Sequence, residues 1–278
     1  MTEQHTPPFL DIAIQACLAG GKEINAVYAG KFAVDHKADD SPLTEADRRS
    51  HRAIADLLAT TGLPVLSEEG GSIDRSERMA WQRYWCVDPL DGTKEFVKRN
   101  GEFTVNIALM ERDELPAGAM GSATPVMGLL YAPDRDVLYF AWKGGGAYKQ
   151  EKAATHGGVS AYERIAMATP LPSVEGRSTY TILASRSHRS PETDAFIQRM
   201  EQEHSDIAID SMGSALKFGL LAEGTADAYP RYAPTMEWDT AAGQVICTEA
   251  GKQLIDVTTD APMRYNKHEL VNNWFIVQ

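Results

Sequence analysis

Nine consecutive residues, Trp85-Cys86-Val87-Asp88-Pro89-Leu90-Asp91-Gly92-Thr93, restrict this chain more than any other stretch. The apolar run Tyr84-Trp85-Cys86-Val87 predicts a short buried strand that ends on Asp88. Pro89 has no N–H to extend a ladder, and its ring fixes its own φ. The chain must turn there, so Asp88 and Asp91 can converge on one point. Leu90 can bury its side chain and present its carbonyl oxygen to the same point. Gly92 permits an unusual backbone angle. Thr93 can cap a helix through Lys94-Glu95-Phe96, whose free N–H groups would suit a phosphate.

Two carboxylates and a carbonyl are hard oxygen donors, the set magnesium takes alongside substrate phosphate. A further acid would allow a second ion. Glu68 and Glu69 are candidates, at the end of a strand predicted over Pro64–Ser67. Each acid also has a plainer reading. Asp88 and Asp91 are good turn formers, and Asp91-Gly92 is a loop signal. Asp47 would favour the dipole of its helix, and Asp239 would serve as an N-cap. Glu68 and Glu69 could be a solvated loop pair.

The remaining patterning is that of a mixed α and β chain. Helices are predicted over Leu10–Ala29 (with Ile12, Ala13, Ala16, Cys17 and Ile24 on one face), Thr44–Thr60, Glu192–Gln202, Gly213–Glu223 and Thr240–Ala250. Asp39-Asp40-Ser41-Pro42 reads as a turn. Strands are predicted over Phe103–Met110, Val126–Tyr131, Tyr180–Ala184 and Ala226–Tyr229. Asp136–Trp142 and Ala147-Tyr148 read as a hairpin turned by Gly144-Gly145-Gly146. That glycine run lacks the GxxxxGK[ST] pattern and following helix of a phosphate loop. The polar segment Gln150–Ser160 is the candidate boundary between two subdomains, residues 1–149 and 150–278.

Charge and composition exclude several classes. A net charge of −12 opposes general binding to nucleic acid or anionic lipid. No apolar run approaches the roughly 20 residues that span a bilayer, and Met1–Pro8 lacks the basic and apolar regions of a secretory signal. A cytoplasmic protein is expected. Cys17, Cys86 and Cys247 are widely spaced, form no CxxC pair and read as buried reduced thiols.

Four motifs in register resemble the lithium-sensitive, magnesium-dependent phosphatases of the inositol monophosphatase superfamily, over nearly the whole chain. They are Ser41-Pro42-Leu43-Thr44-Glu45-Ala46-Asp47, Ser67-Glu68-Glu69, the Asp88–Thr93 stretch, and Trp238-Asp239-Thr240-Ala241-Ala242-Gly243 continuing to Glu249-Ala250-Gly251. Agreement among them favours the metal reading over the separate plainer ones. Lys94–Asn106, Ser185-Arg186-Ser187-His188 and Gly213–Phe218 are similar to the bacterial 3′(2′),5′-bisphosphate nucleotidase branch. One departure is Lys252, where relatives commonly carry a second glycine. The segment from Gln150 to Ala161 matches nothing assignable.

The resemblance implies an αβαβα five-layer sandwich, α+β in its first half and α/β in its second. It implies hydrolysis of the 3′-phosphate of adenosine 3′,5′-bisphosphate, with inositol monophosphatase or sugar bisphosphatase activity as the alternative. It implies two magnesium ions per site, with room for a third. One ion would take Glu68, Asp88 and the Leu90 carbonyl, and the other Asp88, Asp91 and Asp239, with Glu69 reaching metal through water. Thr93 and Asp47 would orient and activate the attacking water, and Gly92 and Thr93 would touch the phosphate. His188, Ser214, Lys217 and Arg231 would contact the nucleotide. A monomer or homodimer is implied, and peripheral attachment to the inner membrane is allowed, although no amphipathic basic helix or lipidation motif is present. A haloacid-dehalogenase-type site is disfavoured, because its two acids are two residues apart and these are three apart.

Overall fold

The computed structural model describes residues 6–36, 42–113, 123–184 and 190–278. In chain order the first half holds α1 (Leu10–Tyr28), β1 (Val34–His36), β2 (Pro42–Thr44), α2 (Glu45–Ala59), β3 (Val65–Ser67), α3 (Arg75–Arg78), β4 (Arg83–Asp91), α4 (Thr93–Lys98), β5 (Thr104–Arg112), β6 (Ala123–Ala132), β7 (Val137–Trp142) and β8 (Gly146–Glu151). Then follow α5 (Ala161–Met167), β9 (Thr169–Leu171), β10 (Tyr180–Leu183), α6 (Pro191–Glu203), β11 (Ile207–Asp210), α7 (Leu216–Glu223), β12 (Tyr229–Arg231), α8 (Glu237–Glu249), β13 (Leu254–Asp256), β14 (Ala261–Pro262) and β15 (Phe275–Val277).

Strands β3 to β9 form one seven-stranded sheet in sequential order, antiparallel except for the parallel β3–β4 pair. Its two faces follow from strand alternation. Trp85, Val87, Val105, Ile107 and Leu109 point to one side, where they pack with α1 and α2 through Leu10, Ile14, Ile54 and Leu58. Tyr84, Cys86, Ala108 and Met110 point to the other, against Leu216, Phe218, Ala242 and Ile246 of α7 and α8. Beyond those helices lies a four-stranded sheet in the order β12-β15-β13-β14. Outside it α6 packs Phe196, Ile197 and Met200 against Ile182 and Ala228. The layers therefore read αβαβα, as the resemblance implied.

Helix α8 sits very close to the large sheet. A Cβ added to Gly128 on β6 would lie 2.3 Å from the Ala242 carbonyl oxygen, so glycine is what admits the helix there. In α1 the buried face uses Ile14, 2% exposed, in place of the expected Ile12. All three cysteines are buried and unpaired. The Gly144–Gly146 turn is closed by a carboxylate of the protein itself: the N–H groups of Gly144 and Gly146 each donate to Glu249 at 2.9 Å.

Several expected bounds shift. Residue 150 lies inside β8, and the first sheet continues to Leu171. The unassigned stretch after it is a 3-10 turn at Ala153–His156, then Ser160 capping α5. Pro42, expected in a turn, pairs with His36 in β2; residues 39–41 lie outside the described part. Strand β12 starts at Tyr229, not Ala226, and α7 starts at Leu216, not Gly213. No helix among the described residues is long and apolar enough to cross a membrane.

Candidate metal centre and active site

Strand β4 carries Asp88 to the edge of the buried core and then breaks register between Asp88 and Asp91. Pro89 cannot donate to the ladder, so the bulge falls where it stands. Ser50 on α2 donates to the Pro89 carbonyl at 2.7 Å and fixes the bulge from the side. Gly92 follows at φ 91°, in the left-handed region. A Cβ there would lie 2.9 Å from the Glu102 carbonyl oxygen and 3.0 Å from Ser214 Cβ. Gly92, not Thr93, occupies the N-cap of α4. Thr93 is the first helical residue, which frees its hydroxyl for other partners.

Asp88, Asp91 and Asp239 each offer an oxygen, and the three oxygens lie within 4.8 Å of one another. Backbone N–H groups hold each acid. Leu90 donates to Asp88 at 3.0 Å, Ala215 to Asp91 at 2.5 Å and Met236 to Asp239 at 2.8 Å. The predicted helix Thr240–Ala250 would leave Asp239 just before its start, where the plainer reading makes it an N-cap. It lies instead in the first turn of α8, which begins at Glu237, and its carboxylate reaches back to Met236 at the N-cap. The helix starts earlier because Glu237 and Trp238 are drawn in by tertiary contacts that outweigh the local preference.

The cluster is electrostatically frustrated. Burial pushes the Asp88 carboxyl well above the usual carboxylate range, and the charges of Glu68, Asp91 and Asp239 push it further. Asp239 is likewise raised, by burial and then by Asp91. Asp91 is raised by burial to about 6, with Lys217, the Ala215 N–H and Asn106 holding it down. A buried acid and two half-buried ones that resist ionising together, with oxygen donors alone, fit a hard divalent cation. Glu68 stands outside the 4.8 Å group, but its charge bears on all three acids. Glu69 acts on the other side, toward Arg48 and His51 of α2.

Beside this group lies a Thr–Asp pair. The Thr93 hydroxyl is 3.2 Å from Asp47 Oδ1 and 3.4 Å from the Leu90 carbonyl. The Thr44 N–H and hydroxyl both donate to Asp47 Oδ2 at 2.7 Å. Asp47 is thus at once part of a capping box for α2 and an acceptor for Thr93.

The expected nucleotide-side residues are less uniform. Ser214 sits at φ 49° in the loop whose next N–H holds Asp91. Lys217 Nζ donates to the carbonyls of Met212 and Ser214, at 3.0 and 2.8 Å, and so braces that loop. Arg231 donates to the Pro234 carbonyl at 3.3 Å, and its Nε is buried without a hydrogen-bond partner. His188 lies outside the described residues. Sequence reasoning missed Asn106, 1% exposed next to Asp91, and Ser50 under Pro89. Neither carries a local signal, since strand pairing and helix packing bring them to the site.

The inositol monophosphatase family model matches residues 6–274. The 3′(2′),5′-bisphosphate nucleotidases CysQ of Shigella flexneri and Salmonella typhimurium are 40% and 41% identical to the chain, over 94% and 89% of it and 95% and 90% of theirs. Among solved structures, CysQ from Bacteroides thetaiotaomicron, a bacterial member of the inositol monophosphatase family, matches with TM-score 0.84 at 46% identity, over 96% of this chain and 95% of that one. An IMPase from Thermotoga maritima shares the fold, with TM-score 0.67 at 23% identity over 97% and 91%.

Proposed function

The chain belongs to the inositol monophosphatase family, and we propose that it is a magnesium-dependent 3′(2′),5′-bisphosphate nucleotidase. It removes the 3′-phosphate of adenosine 3′,5′-bisphosphate, giving AMP and phosphate, and accepts the sulfated analogue as a second substrate. The reaction recycles a nucleotide by-product of sulfate assimilation. The observation that carries the reading is the convergence of Asp88, Asp91 and Asp239 on one point. Identity of 40% over 94% of the chain with proteins named as these nucleotidases supports the choice of substrate over inositol phosphates or sugar bisphosphates.

Glu68, Asp88 and the Leu90 carbonyl would hold one ion, and Asp88, Asp91 and Asp239 a second; Glu69 would act through water, and a third ion would be accommodated. Bound magnesium supplies Lewis-acid neutralisation of phosphate oxygens and lowers the pKa of its water. The protein's own groups handle the proton. Thr44 occupies Asp47 Oδ2 with two donors, which leaves Oδ1 for Thr93. A Thr93 hydroxyl that donates to Asp47 keeps lone pairs to accept a proton from the attacking water. As Thr93 takes that proton it passes its own to Asp47 Oδ1. The water oxygen bonds to phosphorus, the bond from phosphorus to the 3′-oxygen breaks, and that oxygen takes up one proton from a solvent water. Asp47 returns its proton to solvent. Backbone groups of Gly92 and Thr93 touch the phosphate, and His188, Ser214, Lys217 and Arg231 take the nucleotide. The first-half acids and Asp239 belong to two subdomains that meet at the site. We place the enzyme in the cytoplasm as a monomer or homodimer; nothing supports the peripheral membrane attachment.

Single-turnover hydrolysis in isotope-labelled water tests this directly. Label should appear in the released phosphate, with no phosphorylated protein at any time. Capture of an aspartyl-phosphate would overturn direct attack by water.

A further inference from the structure

The segment 264–272 is tied to both sides of the metal centre. Glu237, the residue after the Met236 cap, is 0% exposed. Its carboxylate accepts the Asn266 N–H at 2.8 Å, the Lys267 N–H at 3.0 Å and Lys267 Nζ at 2.8 Å. Lys267 Nζ also donates to Asn272 Oδ1 at 3.0 Å. Asn272 Nδ2 in turn donates to the Met236 carbonyl at 2.7 Å. Met236 is the residue whose N–H holds Asp239 Oδ2. Asn272 therefore fixes one end of a residue whose other end fixes the candidate metal ligand.

The same segment is gripped from the Glu68 side. Arg78 on α3, 3% exposed, donates to Asn266 Oδ1 at 2.9 Å and to the carbonyls of Lys267 and His268, both at 3.1 Å. Asn266 Nδ2 returns a bond to the Arg78 carbonyl at 3.0 Å, and Asn266 itself stands at φ 60°. A cavity of about 480 Å³ separates the Glu68 loop from Met236 and Trp238, so these two walls do not simply pack together.

We propose that Lys267, Glu237 and Asn272 are positioning residues that hold Asp239 toward the acids of the first half and thereby set the affinity of the site for its divalent cation. The proposal rests on the reading of Asp239 as a metal ligand. A buried ion pair contributes little net stability compared with an apolar pair of similar shape. Its contribution here is placement: it holds the first turn of α8 and neutralises the buried Glu237 carboxylate beside the cluster. Loss of a group that orients a ligand from behind typically costs about 10–100-fold in metal affinity or activity.

The test is magnesium titration by calorimetry, without substrate, on the wild type and on folded Lys267→Met and Asn272→Ala. Magnesium half-saturation and kcat for phosphate release are measured alongside. Each variant should bind magnesium about 10-fold more weakly, with kcat at saturating metal within about threefold of wild type, and Lys267→Arg should recover most of the affinity. Tyr139→Phe, which removes a buried bond to Glu223 away from the site, should lower the melting temperature without moving magnesium affinity. Unchanged affinity in both clasp variants, or an equal loss in Tyr139→Phe, overturns the clasp. A wild type that takes up no magnesium overturns the clasp and the functional reading together.

Discussion

Asp91 is pulled in two directions. Burial and neighbouring acids favour its protonated form, whereas the Ala215 N–H and Lys217 favour the carboxylate. Asp91→Asn keeps the size and removes the charge. It should lower turnover about 10³-fold or more, since several kcal/mol of charge stabilisation act there, with an unchanged circular dichroism spectrum. Thr93→Ala should cost about 10²-fold or more in kcat, as loss of a positioned proton acceptor does, with partial recovery in Thr93→Ser. A pH effect follows from the Asp91 carboxyl at about 6. The unfolded chain releases this proton near pH 4. Between those values the folded state binds more protons, so metal-free stability falls as pH rises through that window. Magnesium displaces the proton, so the metal-induced rise in melting temperature should be small at about pH 5 and larger at about pH 7.5. Equal shifts at both would contradict the shared proton-and-metal site. Of these residues, Asp88, Leu90, Asp91 and Thr93 are legible because they are contiguous. Asp47 shows as a carboxylate that favours the dipole of its helix, and Thr44 as a member of the Ser41–Asp47 motif; their capping box shows only in the structure. Asn106 and the bracing role of Lys217 are not legible, because only the pairing of β4 with β5 and the path of the 212–217 loop bring them to the site.

Elements with a strong local signal are readable: α1 and α2 from their apolar stripes, β4 from its apolar run, and β7 and β8 from the glycine turn between them. The start of α8 was not. Met236 has no capping side chain of the usual type, and the helix is set by the Leu270 carbonyl, which accepts the Glu237 N–H at 2.9 Å, and by Glu237's own partners. Strands β9, β13, β14 and β15 have two or three residues each, too few to display a period, and they exist because distant partners supply their ladders. The close seat of α8 on β6 gives a prediction. Gly128→Ala should destabilise by about 1–3 kcal/mol, the cost of overpacking, measured by urea unfolding. Its metal affinity should also weaken, because α8 carries Asp239. An unperturbed midpoint would show that α8 does not approach β6 so closely.

Across the molecule, acids far apart in the chain meet at one point. Asp88 and Asp91 come from the seven-stranded sheet, Asp239 from the helix layer beneath it, and three mutually repelling acids face each other across that seam. The layer order could be expected from the whole-chain resemblance, but the closeness of those acids depends on packing that no single motif encodes. Magnesium at about 100 times its dissociation constant should add about 2.7 kcal/mol, a rise of about 5–10 °C for a chain of this size. The nucleotide reading is decided most directly by phosphate release from adenosine 3′,5′-bisphosphate, with inositol monophosphate as competitor substrate, with and without magnesium. Rapid release from the nucleotide that vanishes on metal removal, with kcat/KM at least about 100-fold above that for inositol monophosphate, is the predicted result; metal-independent release, or a preference for inositol monophosphate, would contradict it.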